Sequence, residues 1–125
     1  MFLTMRPLPI TVSHESSTHA VRVCTGGPVI DSARARAAVD TTQDLVAGHG
    51  GRLKTLIIDV EDLHIPNSMA VSMLLELARI AESYRLEAVL HRPNEDLLQL
   101  LRMLRLDGRF VFSLSNRELS RAMAA

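Results

Sequence analysis

Cysteine is almost missing from this chain: Cys24 is the only one. An internal disulfide is therefore excluded, no thiolate cluster can form, and a reducing compartment suits the protein. Tryptophan is absent and aromatic residues make up 3% of the sequence, which argues against base-stacking or sugar-binding platforms. Neither sign of charge is in excess, with 14 Lys and Arg against 14 Asp and Glu. That balance removes the electrostatic case for nucleic acid or an anionic membrane as partner. No apolar run approaches the roughly 20 residues that cross a bilayer. Behind Arg6, Pro7 and Pro9 interrupt any continuous apolar stretch, so no signal peptide is read. The expectation is a cytoplasmic protein with no nucleic-acid partner and no membrane insertion.

Enzyme motifs are missing as well. Neither GxGxxG nor GxxxxGK followed by Ser or Thr occurs, so no phosphate-cradling loop is evident. The histidines at 14, 19, 49, 64 and 91 show no metal-ligand spacing. Asp59, His64 and Ser68 lie close in sequence, but the GxSxG elbow that would project a nucleophile is absent, and a triad is recognised by geometry rather than by letters. Gly48-His49-Gly50-Gly51 matches the GxxG loop of KH RNA-binding domains by letter, yet it leads from a helix into a strand rather than joining two helices. Cys24, on a strand, reads as a small buried or half-buried side chain. No catalytic residue, metal or cofactor is assigned, and the chain is read as a non-enzyme.

What remains is ordinary globular material. The chain has 125 residues, 47% of them hydrophobic and 22% charged, enough for one domain whose core is built from Leu, Val, Ile, Ala and Met. Residues 1–7 read as a tail and residues 8–125 as the domain. Leu8–Ser13 and Ala20–Thr25 are short and β-branched and predict a hairpin across polar His14–His19. Alternation sets Val21 and Val23 on one face, against Arg22 and Cys24 on the other. Gly26-Gly27-Pro28 breaks the strand. A helix is predicted over Asp31–Ala47, with Asp-Ser at its cap, a stripe of Ala35, Ala38, Val39, Thr42, Leu45 and Val46, and glycines from Gly48 at its end.

The run Leu56, Ile57, Ile58, Val60 has the length of a strand buried on both faces. It feeds, through a loop holding Pro66, a helix over Ser68–Tyr84 with Val71, Leu74, Leu75, Ala78, Ala81 and Tyr84 at steps of three and four. Leu86–Leu90 is the next strand. Asn94 caps a further helix running to Gly108, with Glu95 and Asp96 in its first turn and Arg102 and Arg105 in its last, as the helix dipole favours. Phe110–Leu114 is a short strand and Asn116–Ala125 a short final helix. The order β-β-α-β-α-β-α-β-α makes one small α/β domain.

The strand-to-helix loop before Ser68 lies where α/β domains place their sites. A phosphate on Ser68 has a physical rationale, because a helix N-terminus offers unpaired N–H groups and a positive dipole end. It would add about −1.5 to −2 charges at one spot, leaving the fold intact while spoiling an apolar interface around it. Met69 and Met73 fall on an exposed flank if Leu74, Leu75 and Ala78 face the sheet, and methionine adapts well at binding surfaces. The same residues also permit a plain reading, with Asn67–Ser68 as a helix cap and the methionines as core.

These residues resemble the STAS domain of bacterial anti-sigma factor antagonists. The family shows a strand ending in Asp, a loop of eight residues, then Asp-Ser-x-Gly opening a helix; here Asp59 is followed by VEDLHIPN and by Ser68, so that Asn67-Ser68-Met69-Ala70 falls at that spacing. Gly27-Pro28-Val29-Ile30-Asp31 is similar to the stretch that leads into the family's first helix. Leu100-Leu101-x-x-Leu104-x-Leu106-Asp107 and then Phe110 are similar to a later helix and the phenylalanine after it. The resemblance spans about residues 8–125. It implies a mixed sheet with helices packed mainly on one face. It also implies a partner-switching protein that binds an anti-sigma factor with serine kinase activity, releases the sigma factor, and is turned off by phosphorylation at Ser68. Carried over, the partner-binding residues are Asp31, Asn67, Ser68, Met69, Ser72 and Met73, and a homodimer is left open. Three departures stand out: Asn67 replaces an acid, Ala70 a glycine, and Pro66 an aliphatic residue. Ala70 would put a side chain where a partner backbone approaches, and Pro66 stiffens the loop and extends Ile65. The alternative is a constitutive, unphosphorylated binding module, such as an accessory subunit of an ABC-type lipid transporter or a stress-signalling scaffold. A third reading is a small enzyme or nucleotide binder on the same fold.

Overall fold

A computed structural model describes residues 9–124; the expected tail at 1–7, with Leu8 and Ala125, lies outside the described residues. The strands are β1 (Thr11–Glu15), β2 (Ala20–Cys24), β3 (Thr55–Asp59), β4 (Glu87–His91) and β5 (Val111–Ser113), and the helices are α1 (Ser32–His49), α2 (Ser68–Ser83), α3 (Glu95–Met103) and α4 (Asn116–Ala124). The five strands lie in chain order, β1-β2-β3-β4-β5. The β1–β2 hairpin is antiparallel and every later pairing is parallel.

This order explains the layering. Each parallel crossover, through α1, α2 and then α3, steps the same way across the sheet, and one handedness for such crossovers puts all three helices on one face. There Val21, Val23, Leu56, Ile58 and Leu90 pack under Ala38, Val46, Met73, Leu74, Leu77, Leu97 and Leu101. Each fully buried aliphatic side chain of this kind contributes about 1.5–3 kcal/mol. Among the described residues β5 is the last strand, and α4 after it lies on the other face, where Leu119 covers Ala20, Ile57 and Val89. β3 is buried along its whole length, as its unbroken apolar run demands. Arg22 and Cys24 point away from the main core, as alternation requires.

Helix starts follow their caps. The Asp31 Oδ1 accepts the Arg34 N–H at 2.8 Å, and the Asn67 and Asn94 Oδ1 atoms accept the Ala70 and Leu97 N–H groups at 2.8 Å each. Helix ends depart from expectation. Gly48 lies within α1, which closes at His49 before a short 3-10 turn over Gly50–Arg52. α3 stops at Met103 rather than running to Gly108, so Arg102 but not Arg105 sits in its last turn. The reason is that Arg105 turns left-handed (φ 58°). Its N–H donates to the Arg102 carbonyl at 3.0 Å and the Leu106 N–H to that of Leu101 at 2.8 Å, the Schellman closure.

α2 ends the same way on Arg85 (φ 57°), with Arg85 N–H to Glu82 C=O at 3.2 Å and Leu86 N–H to Ala81 C=O at 2.7 Å. An L-residue pays strain in this conformation that glycine does not. Replacing exposed Arg85 by glycine should therefore stabilise the domain by about 0.5–1 kcal/mol in urea unfolding. A loss of stability would show instead that the Arg85 side chain makes contacts worth more than that strain.

Candidate functional site

The loop from β3 to α2 is pinned at several points before it delivers Ser68. The Val60 N–H donates to the His91 carbonyl at 3.0 Å, and the His64 and Ile65 N–H groups both donate to the Pro28 carbonyl, at 3.1 and 3.0 Å. The Asn94 Nδ2 donates to the Leu63 and His64 carbonyls at 3.3 and 3.0 Å. The two loops pack so closely that a Cβ on Gly27 would lie 1.7 Å from the Asp62 carbonyl oxygen. Asn67 spends both ends of its amide: Oδ1 caps α2, and Nδ2 donates to the Ile30 carbonyl at 3.2 Å. An aspartate could cap equally well but could not make the second bond.

Ser68 is the first residue of α2 and is exposed. The cap is Asn67, so the Ser68 hydroxyl is free of that duty. The helix start and the two loops joined there carry large apolar side chains in contact with solvent: Ile65 is 56% exposed, Val29 39% and Met69 36%. Along the helix, Met69 and Ser72 border a groove of about 490 Å³ between α1 and α2, whose α1 wall includes Ala35, Arg36 and Val39. The Arg36 Nη1 bridges toward Asp40 on its own helix and Glu76 on α2, at 3.7 Å each, a loose pairing of exposed groups worth little to stability.

Two expectations are corrected here. Met73 is not on an exposed flank; it is 2% exposed and belongs to the core, presenting only its edge to the groove. α2 buries Ala70, Val71, Met73, Leu74, Leu77, Ala78, Ile80 and Ala81, so Val71, Leu74, Ala78 and Ala81 of the stripe read in sequence are buried as expected, while the buried side is wider than that stripe and Leu75 is only partly buried. For the same reason Ala70 does not meet a partner: its methyl is fully buried, where it adds packing that glycine would lack. Asp31 is exposed and caps α1, paired with Arg34; it is next to Ile30, whose carbonyl holds Asn67. Asn67, Ser68, Met69 and Ser72 thus share the start of α2, with Asp31 on the neighbouring loop.

Asp59 points the other way, onto the face that α4 covers. Its Oδ2 takes the Arg22 Nη2 at 2.7 Å and its Oδ1 the Glu61 N–H at 3.1 Å. Burial opposes the Arg22 charge, but the hydrogen bonds and charges of Asp59 and Cys24 outweigh it and raise the guanidinium pKa. The strand register places Cys24, Asp59, His91 and Ser113 in one row across β2 to β5. Asp59 is therefore aligned with His91 and not with His64. The row is not a nucleophile–base pair: Ser113 is buried, and its hydroxyl donates to the Ser115 carbonyl at 3.0 Å. The sequence reading passed over this row. Its only trace in the letters is a polar residue at the carboxyl end of each of four strands, which acquires meaning once the strands are aligned.

Among the described residues no group of three or more His, Cys, Asp or Glu is placed to hold a metal ion, and no helix is long and apolar enough to cross a membrane. The STAS domain family model matches residues 14–119. This chain belongs to the STAS family. The STAS fold is also seen in its structural neighbours. An anti-sigma-factor antagonist (STAS) domain protein from Planctomyces limnophilus superposes with a TM-score of 0.76 at 15% identity, over 94% of this chain and 99% of that one. A Thermotoga maritima protein provisionally named an anti-sigma factor antagonist superposes with a TM-score of 0.68 at 13% identity, over 94% and 95%. At such identities the likeness is one of fold. No curated protein matches the chain in sequence.

Proposed function

We propose that this STAS domain is an anti-sigma factor antagonist that docks its partner through the start of α2 and is switched by phosphorylation of Ser68. The observation that carries the reading is an exposed serine at the first position of α2, with exposed Met69 next in the helix and exposed Ile65 and Val29 on the two loops joined at the helix start. Without phosphate that surface is apolar and adaptable. With phosphate, the helix N-terminus tolerates the new charge, while a partner seated on Ile65 and Met69 would have to bury it without compensation. The partner would be an anti-sigma factor with serine kinase activity, which brings its own catalytic base and metal, so the STAS domain need supply none. Release of the sigma factor would then regulate transcription in the bacterial cytoplasm.

The test is titration calorimetry of the partner against Ser68→Asp and Ser68→Ala, with kinase assays alongside. Ser68→Asp should weaken binding about thirtyfold or more, as expected when about 2 kcal/mol or more is lost to an unpaired interfacial charge. Its Tm should stay level or rise slightly, since acid in the first turn adds ~0.5 kcal/mol. Ser68→Ala should bind normally and take up no phosphate. Unchanged binding by Ser68→Asp would remove Ser68 from the interface.

The second reading, a constitutive binding module, is favoured by one observation: Asn67 is fully engaged in structure, leaving no acid beside Ser68 for a kinase to read. Intact-mass analysis of protein from its host separates the two, because phosphate on Ser68 supports the switch and its absence under every growth condition supports the module.

A further inference from the structure

We infer that His91 is a proton-operated latch holding α4 on the sheet. His91 has no solvent exposure and lies in the polar row under α4, away from the Ser68 surface. Its Nδ1 is 3.0 Å from the Ser113 Oγ. That hydroxyl has a single proton, and it is committed to the Ser115 carbonyl at 3.0 Å. The imidazole must therefore be the donor at Nδ1.

The relay continues into the start of α4. The Ser115 carbonyl also accepts the Leu119 N–H at 3.0 Å, and the Ser115 Oγ caps the helix through the Glu118 N–H at 3.1 Å. Glu118 in turn accepts the Leu114 N–H at 2.6 Å, one residue before the Ser115 cap, tying the approach to α4 to its first turn. A buried ring is thus connected through two serines to the cap of the last helix.

With Nδ1–H fixed, neutral His91 presents a bare lone pair at Nε2, and among the described residues this atom has no hydrogen-bond partner. A second proton would put a charged N–H in a buried position. The surrounding groups do not offset it. On β3, Asp59 favours the charge but is already held by Arg22 and the Glu61 N–H. Arg22 on β2 and Arg92 just beyond β4 oppose it, and Asn116 at the start of α4 favours it without bonding to Nε2 in this arrangement. Burial is the largest influence, and the imidazole is held below its ordinary 6.5. Because the docked state keeps His91 neutral, its contribution to docking is complete above 6.5 and declines as the pH falls below it.

α4 is the element able to respond. Leu119 is its one fully packed apolar residue, with Ala122 and Met123 partly buried, whereas α1 and α2 sit on the main core. Lightly packed elements open well below the cost of global unfolding. Acidification would release α4 and uncover Ala20, Ile57 and Val89 while the Ser68 side of the sheet stays folded.

The test is amide hydrogen exchange on the full chain at pH 7.5 and 5.5, expressed as protection factors corrected for intrinsic rates. Protection of Leu119–Met123 should fall by up to about tenfold between the two, the limit set by one proton taken up at an ordinary histidine pKa in the open state alone, while that of Leu74–Ala78 in α2 holds. His91→Asn, which keeps a donor for Ser113 but cannot titrate, should abolish the change. Equal protection at both values, or the same loss in His91→Asn, would overturn the latch. Where that variant fails to fold, the His91 ring is titrated by NMR in the native chain. Titration below 6.5 together with shifts in α4 supports the latch, and titration at or above 6.5 overturns it.

Discussion

Gly27→Ala should cost about 3 kcal/mol or more, because the added methyl has nowhere to go. It would stand 1.7 Å from the Asp62 carbonyl oxygen and 2.6 Å from its carbon, both backbone atoms. A clash with a long side chain could be relieved by a change of rotamer. This one requires the loop before α1 to part from the loop before α2, and those loops are joined by the Pro28 carbonyl, which takes two N–H groups, and by the Asn67–Ile30 bond. A domain of this size has roughly 6–19 kcal/mol of stability, so a loss on this scale is severe, and the displaced loops are those that carry Val29, Ile65 and Ser68. Urea unfolding measures the first effect and partner titration the second. Gly48→Ala is the control: it meets nothing within 4 Å and lies inside α1, so it should be neutral or stabilising by up to about 1 kcal/mol. A Gly27→Ala protein within about 1 kcal/mol of wild type would show that the two loops slide apart freely.

Asp59→Ala should cost about 2–3 kcal/mol. Removing one member of a fully buried ion pair costs about 3–5 kcal/mol; the figure is lowered here because the Arg22 side chain keeps 26% of its exposure against 9% for Asp59. Two effects combine. Arg22 is left half-buried with Glu15, at 3.9 Å, as its remaining ion-pair partner among the described residues, and the Glu61 N–H loses its acceptor at the point where β3 turns into the Ser68 loop. Asp59→Asn keeps an acceptor for Glu61 and should lose about half as much. Arg22→Met in the Asp59→Ala background should recover part of the loss, since deleting both partners removes the stranded charge. A double-mutant cycle by chemical denaturation reads the coupling, expected at about 1–2 kcal/mol. Additive effects would mean that Arg22 finds solvent as easily as Asp59.

The family resemblance and the order of elements were legible because both are written in local patterns. The unbroken run at Leu56–Val60 marks a strand buried on both faces, and Asn67 and Asn94 mark helix starts by a chemistry confined to three residues. The ends of α2 and α3 were harder. Arg85 and Arg105 occupy left-handed positions where glycine is the usual signal, and the closing hydrogen bonds depend on how Leu86 and Leu106 pack into the core. The binding surface was half legible. Ser68 and Met69 are exposed as their place in the first turn suggests, but the buried side of α2 is wider than the stripe read in sequence and takes in Met73 and Ala70. Helical periodicity defines a stripe only to within a residue or so, and the angle at which α2 meets its neighbours chooses among them.

Hydrophobic period, caps and turn residues act over a few residues, so composition and spacing were enough for the class of fold and the strand–loop–helix around Ser68, and the motifs set along them carried the resemblance to the family. The row of Cys24, Asp59, His91 and Ser113 could not be seen that way, since its members lie 35, 32 and 22 residues apart and become neighbours only through strand register. The same holds for the tie between Asn67 and Ile30, for the lack of room at Gly27, and for the helix on the second face. Register and layer are settled by which surfaces bury the most apolar area together, and that is a property of the folded chain as a whole.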